Sequence, residues 1–143
     1  MLIPGSCRCG NISFVLMWEP APTEIPARAC SCSFCATHGA VWTSCPSGSL
    51  KVQVRAPGLV TKHGFATQTA QFHICDKCGD VPVVTSRIDG RLYAVVNVAA
   101  LEGVEPLILR HTSMDVDGES QQARIARRRQ SWIADVEYVE GAA

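Results

Sequence analysis

Cysteine placement constrains the fold of this 143-residue chain more than any other feature, because seven of its eight cysteines fall into three tight groups. The groups follow the patterns C-x-C, C-x-C-x-x-C and C-x-x-C. They comprise Cys7 and Cys9, then Cys30, Cys32 and Cys35, then Cys75 and Cys78, while Cys45 stands alone. Two thiolates on one tight turn converge on a single ion, so close pairs suit a metal better than disulfides with distant partners. The spacing therefore predicts zinc sites.

Composition and charge argue against several functional classes for this chain. Thirteen basic residues balance thirteen acidic ones, which argues against nucleic acid or a membrane surface as a mainly electrostatic partner. Apolar runs such as residues 93–96 are far below the ~20 residues of a membrane-spanning helix. Residues 1–5 lack the basic and apolar regions of a signal peptide, so we expect a cytoplasmic protein whose thiols stay reduced.

Two assignments of the cysteines to zinc ions fit the spacing. In the first, the outer two groups form one closed four-cysteine site, and Cys30, Cys32 and Cys35 form a second site with three ligands. A zinc ion with three protein ligands keeps a fourth position for water or substrate, as catalytic zinc does. In the second assignment, Cys45 completes the middle group and both sites are structural.

Hydrophobic alternation predicts a mainly β fold in a single domain over residues 1–143. The predicted strands cover residues 12–18, 41–44, 50–55, 71–75, 81–86 and 91–98. Asp89 and Gly90 lie between the last two strands and predict a tight hairpin turn. One helix is predicted over residues 120–133, with Asp117 or Ser120 as its N-cap and with Ile125, Trp132 and Ile133 on the face that packs on a sheet.

The cysteine motifs resemble those of the glutathione-dependent formaldehyde-activating enzyme family, which includes centromere protein V. The similarity lies in residues 5–10 (GSCRCG), 30–35 (CSCSFC) and 75–79 (CDKCG), with support from residues 38–40, 93–98 and 127–133. These motifs extend over nearly the whole chain in the family's order. The resemblance implies an Mss4-like (β-tent) fold of small antiparallel sheets around zinc, with one short C-terminal helix.

The resemblance also implies two Zn²⁺ ions per chain and a reaction. The structural zinc would be held by Cys7, Cys9, Cys75 and Cys78, and the active-site zinc by Cys30, Cys32 and Cys35. These last three cysteines are also the candidate catalytic residues, and we single out Cys32 because it lies in the middle of the group. The implied activity is that of a carbon–sulfur lyase, an S-(hydroxymethyl)glutathione synthase. The implied partners are small molecules: glutathione or a similar thiol, and formaldehyde or another small aldehyde.

The chain departs from the family pattern next to the middle cysteines. Many members carry a basic pair directly after the third cysteine, where this chain has Ala36 and Thr37, and a histidine is frequent at the position of Ser31. Arg28, His38 and Lys62 are candidate replacements for the missing cations, since the carboxylates of glutathione call for positive partners.

Two alternatives to an enzyme stay open at the level of sequence. The chain could be a non-enzymatic zinc-stabilised binding module that acts through the arginines of residues 124–129, or a redox sensor based on the middle thiols. We expect those arginines to form a solvated helix face. We expect Cys45 to be a buried free thiol, and His73, two residues before Cys75, to have a hydrogen-bonded structural role.

Overall fold

In the computed structural model the described residues include two β-sheets and a helix of eleven residues. The structure describes residues 1–30, 35, 39–64, 70–114 and 119–141, with the backbone alone for Cys30 and Met114. In chain order the strands are β1 (Leu2–Ser6), β2 (Ile12–Met17), β3 (Ile25–Cys30), β4 (Val41–Thr43), β5 (Ser49–Val54), β6 (Val60–Gly64), β7 (Gln71–Cys75), β8 (Val83–Ile88), β9 (Arg91–Asn97), β10 (Leu109–Met114) and β11 (Asp135–Glu140). Helix α1 covers Gln121–Ser131, and three short 3₁₀ turns cover Pro57–Leu59, Val98–Ala100 and Pro106–Ile108.

The strands form a four-stranded sheet in the order β1-β2-β5-β11 and a seven-stranded sheet in the order β10-β3-β4-β9-β8-β7-β6. Most neighbouring strands are antiparallel, whereas β5–β11 and β3–β10 are parallel. The mainly β prediction is therefore confirmed, and the sheets are mixed. All six predicted strands are present, as β2, β4, β5, β7, β8 and β9.

Four of the five strands that the sequence pattern missed are sheet edges. These edge strands are β1, β6, β10 and β11. An edge strand pairs on one side only and is often solvated, so it lacks a strong apolar alternation; β6, for example, has no buried residue. The fifth, β3, is internal and contains Pro26, which weakens its strand pattern.

Two hydrophobic clusters lie on opposite faces of the seven-stranded sheet. Successive residues of β9 alternate between them, since Ala94 and Val96 pack between the two sheets while Val95 packs on the other face. The cluster between the sheets, which includes Cys7, Cys75 and Cys45, is called here the inter-sheet core. The cluster on the other face, which includes Cys35, Trp42 and Trp132, is called the helix-side core.

Local signals for the hairpin and the helix are confirmed. Asp89 and Gly90 both have positive φ angles, 51° and 79°, as a two-residue hairpin turn between β8 and β9 requires. The Ser120 hydroxyl accepts a hydrogen bond from the Ala123 amide and caps α1. Ile133 differs from its prediction: it lies beyond the helix, forms a bridge with Ala94 and packs in the inter-sheet core.

Candidate metal centre and thiol site

Four cysteines from distant parts of the chain meet at one end of the inter-sheet core. Cys7 and Cys9 lie in the turn between β1 and β2, while Cys75 ends β7 and Cys78 lies in the turn after it. Their four Sγ atoms lie within 4.8 Å of one another. The structure thus brings together the cysteines that the first assignment placed in the closed site.

The sulfur geometry suits a tetrahedral ion. Zinc bonds of about 2.3 Å in a tetrahedral site place neighbouring sulfurs about 3.8 Å apart. The Sγ atoms of Cys7 and Cys9 are 3.7 Å apart, and those of Cys9 and Cys75 are 3.4 Å apart. The Ile12 amide also donates to the Cys7 sulfur at 3.3 Å, which stabilises a thiolate there. The four cysteines could therefore hold one metal ion.

Both turns of this four-cysteine site depend on a glycine with positive φ. Gly10 follows the first pair with a φ angle of 81°, and Gly79 follows the second with 78°. Only glycine adopts this backbone conformation without a steric cost. The turns let both cysteines of each pair face the same point.

The protein environment shifts the pKa values of the Cys75 and Cys78 thiols in opposite directions. Burial raises the pKa of Cys75 to about 12. Burial acts in the same direction on Cys78, but the amide groups of Asp80 and Cys9 outweigh it and lower the pKa of Cys78 to about 7. Four thiolates packed this closely repel one another, so full deprotonation requires a cation between them.

A salt bridge joins the two turns outside the sulfur cluster. The Arg8 amide donates to Asp80 Oδ2 at 2.8 Å, and Arg8 Nε donates to Asp80 Oδ1 at 3.1 Å. Arg8 Nη2 also donates to the Cys78 carbonyl. Sequence reasoning missed Asp80; the available signal was a carboxylate directly after the C-x-x-C-G motif and an arginine inside the C-x-C motif.

The middle cysteine group is described only in part. Cys30 ends β3, and its side chain and all of Cys32 lie outside the described residues. Cys35 is buried in the helix-side core, where its Sγ accepts a hydrogen bond from Trp42 Nε1 at 3.4 Å. The three-ligand zinc site on Cys30, Cys32 and Cys35 therefore stays a prediction.

Cys45 is buried, as expected, and lies apart from Cys35. Its Sγ contacts the Glu19 carbonyl at 3.6 Å and Ser47 Oγ at 3.4 Å. It packs in the inter-sheet core, whereas Cys35 packs on the other face of the seven-stranded sheet. This separation argues against the assignment in which Cys45 completes the middle group.

The candidate replacements for the missing cations lie in different places. Arg28 of β3 pairs in register with Trp42, so its side chain shares the face that holds Cys35. Lys62 of β6 instead forms a salt bridge of 3.5 Å with Glu140 of β11. His38 lies outside the described residues, as do Ser31, Ala36 and Thr37.

His73 has the hydrogen-bonded setting predicted for it. Its Nε2 lies 2.7 Å from Thr85 Oγ1, and its Nδ1 lies 3.3 Å from the Tyr138 hydroxyl. Burial, together with the positive charge of Lys62, lowers the pKa of His73 to about 4, so the ring is neutral. A cavity of about 620 Å³ adjoins it and is lined also by Lys62, Arg87 and Tyr138.

The prediction of a solvated arginine face holds for Arg129 and fails for Arg128. Arg129 is exposed and pairs with Asp89, whereas Arg128 is only 7% exposed. The Arg128 guanidinium lies over the Trp132 ring, 5.0 Å from its centroid. The spacing of four residues between this arginine and this tryptophan was the signal for the contact.

Fold and site together define a small, mainly β protein with a four-cysteine cluster suited to a metal ion. The model of the family described as "Glutathione-dependent formaldehyde-activating enzyme" matches residues 2–114. The chain belongs to this family. A crystal structure of a Rhodobacter sphaeroides protein is similar at 32% identity and a TM-score of 0.56, over 76% of this chain and 99% of that one. No curated protein matches, and no helix in the described segments is long and apolar enough to cross a membrane.

Proposed function

We propose that this protein is a zinc-dependent carbon–sulfur lyase of the formaldehyde-activating type. It adds the thiol of glutathione, or of a similar small molecule, to formaldehyde or another small aldehyde. In this reaction the sulfur forms a bond to the carbonyl carbon, and the thiol proton ends on the former carbonyl oxygen as a hydroxyl. The observation that carries the proposal is the family match over residues 2–114, which contain all three cysteine groups.

Two zinc ions per chain have different roles in this proposal. Cys7, Cys9, Cys75 and Cys78 would hold the structural zinc, and their sulfur geometry supports it. Cys30, Cys32 and Cys35 would hold the active-site zinc. When bound, that ion supplies a Lewis acid and favours the deprotonated state of a coordinating thiol.

Two features of the Cys35 environment act on its thiol in opposite directions. The Trp42 N–H donates to the Cys35 sulfur, and such a donor favours the charged form of the acceptor. Burial of Cys35 in the helix-side core disfavours the charged form, because it removes water from the sulfur. A thiolate there therefore requires a bound cation, which fits the proposed zinc. We place the reaction in the cytoplasm, where the cysteines stay reduced.

The test combines metal content with a rate measurement. Elemental analysis before and after a mild chelator should find two zinc ions, one of which leaves easily and exposes three thiols. Formation of the thiol–aldehyde adduct should then be followed by exchange NMR, because thiol and formaldehyde also combine without a catalyst. We expect the wild-type protein to exceed the uncatalysed rate, and we expect Cys32→Ala to abolish that excess.

Cys45→Ala is the matched control, since it also removes one thiol but leaves all three cysteine groups intact. It should keep both zinc ions and the full rate. Two zinc ions that both resist the chelator, with no rate above background, would refute the enzyme and favour a binding module. Reversible oxidation of the middle thiols without lyase activity would favour a redox sensor.

A further inference from the structure

Asp80 contacts three parts of the four-cysteine site, each through a different group of atoms. Its carbonyl accepts a hydrogen bond of 2.9 Å from the Cys75 amide, and its own amide donates to the Cys78 sulfur. Its carboxylate reaches the turn between β1 and β2, where Oδ2 accepts from the Arg8 amide at 2.8 Å and Oδ1 accepts from Arg8 Nε at 3.1 Å. Asp80 therefore joins the C-x-x-C turn, which contains it, to the C-x-C turn.

Cys9 is the cysteine of this site that is most open to solvent. Cys7 and Cys75 are buried and Cys78 is partly buried, whereas Cys9 is exposed. A competing ligand can therefore reach Cys9 most easily, and an ion held by several ligands begins to leave when one of them dissociates. Retention of the ion depends on how firmly the backbone around Cys9 is held.

The Asp80 carboxylate holds this part of the backbone. It binds the amide of Arg8, the residue directly before Cys9, and the Cys9 amide donates in turn to the Cys78 sulfur. Without the carboxylate, the Arg8 amide would lose this acceptor. The C-x-C turn, which positions both the Cys9 sulfur and the Cys9 amide, would then be held less firmly against Cys78.

The two kinds of bond to this carboxylate differ in strength. The Arg8 side chain is 75% exposed, and an exposed ion pair changes an equilibrium constant by about fivefold or less. The Asp80 side chain is 33% exposed, and its bond from the Arg8 amide orders no long side chain. A hydrogen bond to a charged group typically changes an equilibrium constant by more than about tenfold. The bond from the amide therefore contributes more than the salt bridge.

We propose that Asp80 is a positioning residue that retains the metal ion of the four-cysteine site, by holding the C-x-C turn against the C-x-x-C turn. Replacing residues that hydrogen-bond around metal ligands typically weakens metal binding by about 10- to 100-fold. This inference rests on the structural zinc of the proposed function, but it does not depend on the lyase reaction.

The test measures how fast zinc passes from the zinc-loaded full chain to an excess of the chromogenic chelator pyridylazoresorcinol. The kinetic phase that is missing in Cys75→Ser identifies the zinc of the four-cysteine site. We expect Asp80→Ala to release this zinc at least about tenfold faster than the wild type. Asp80→Asn should release it at an intermediate rate, because it keeps an acceptor oxygen for the Arg8 amide but lacks the charge.

Asp76→Ala is the matched control. Asp76 lies in the same C-x-x-C turn, and its Oδ1 accepts a hydrogen bond of 2.6 Å from the Thr61 hydroxyl of the neighbouring strand β6. This variant removes the same negative charge beside the same thiols but leaves the bonds between the two turns. It should release zinc within about twofold of the wild-type rate. Arg8→Gln should speed the release by about fivefold or less, because it keeps the backbone amide.

The comparison of these variants can overturn the proposal in several ways. Equal rates in Asp80→Ala and Asp76→Ala would show that Asp80 acts only through its charge. An Arg8→Gln protein that releases zinc as fast as Asp80→Ala would show that the salt bridge, and not the amide bond, holds the turn. Circular dichroism checks folding; if Asp80→Ala fails to fold, Asp80→Asn carries the test, and a wild-type rate in that variant would overturn the role of Asp80.

The same measurements separate this proposal from that of the function. A wild-type protein without a zinc phase that depends on Cys75 would refute the structural zinc and, with it, the role of Asp80. Faster zinc release from Asp80→Ala, in a protein whose wild type forms no thiol–aldehyde adduct above background, would refute the lyase and support the positioning role.

Discussion

Replacing Cys75 by serine tests whether an ion joins the two ends of the four-cysteine site. Cys9 and Cys75 are 66 residues apart in sequence, yet their sulfurs lie 3.4 Å apart. A cross-link that closes a loop of this length lowers the entropy of the unfolded chain. It thereby raises the free energy of the unfolded state by about 4 kcal/mol at 25 °C. A zinc ion bound by both segments acts as such a link, because its ligands are brought together only in the folded state.

We therefore expect Cys75→Ser to lower the free energy of unfolding by about 4 kcal/mol. For a domain of this size, that loss lowers Tm by roughly 10 °C. The measurement is urea unfolding at a fixed zinc concentration, with elemental analysis of the same samples. Zinc content should fall from two ions per chain to one.

Cys45→Ser is the matched control for this experiment. Cys45 is also buried in the inter-sheet core, so its replacement costs a similar loss of thiol packing but leaves the four sulfurs in place. It should keep both zinc ions and lose less than half as much stability. A Cys75→Ser protein that retains two zinc ions and is as stable as Cys45→Ser would refute the assignment of a structural zinc.

Three further predictions address the thiol site, the sheet and the helix. Cys32→Ala should lose one zinc ion and the lyase rate but keep the wild-type circular dichroism; unfolding of this variant would contradict a purely catalytic role. Gly48→Ala should lower the free energy of unfolding by more than about 1 kcal/mol, because the new Cβ would lie 2.1 Å from the carbonyl oxygen of the last β2 residue. Gly58→Ala is the control: its Cβ would meet no atom within 4 Å, so the free energy of unfolding should not fall by this amount. The hydrogen bond from Arg127 lowers the pKa of Glu119 below its usual 4.5, so this pair stabilises the protein above that pH and its contribution is lost on acidification. Glu119→Gln should therefore reduce the difference in unfolding free energy between pH 7 and pH 3, and an unchanged difference would show that the pair adds nothing.

Local signals were sufficient for most of the regular structure. The six strands predicted from alternation are present because their apolar residues face a core on at least one side. The Asp89–Gly90 turn and the Ser120 cap were predictable because turn and cap chemistry depends on a few adjacent residues. The edge strands were missed because they are held by backbone pairing with distant strands, and such pairing leaves little mark on their own composition.

The four-cysteine site shows both what cysteine spacing predicts and what only the tertiary structure decides. Spacing alone predicted that each cysteine pair binds a metal, but it left open which groups share an ion. Cys9 follows β1 of the four-stranded sheet and Cys75 ends β7 of the seven-stranded sheet, so the packing of the two sheets across the inter-sheet core brings these cysteines together. The Arg8–Asp80 salt bridge exists only because of that approach. Such contacts are decided by the complete topology, since no local pattern records which strands become neighbours.

By itself, then, the sequence determined three features of this protein: cysteine groups in the family's order, a mainly β fold and a C-terminal helix. The tertiary structure decided which groups meet. It buried Arg128, which the helix pattern placed in solvent, and set it on the Cys35 side of the sheet together with Arg28. The physical reason is that burial and charge neighbours arise from contacts between segments far apart in the chain, and these become fixed only when both cores pack.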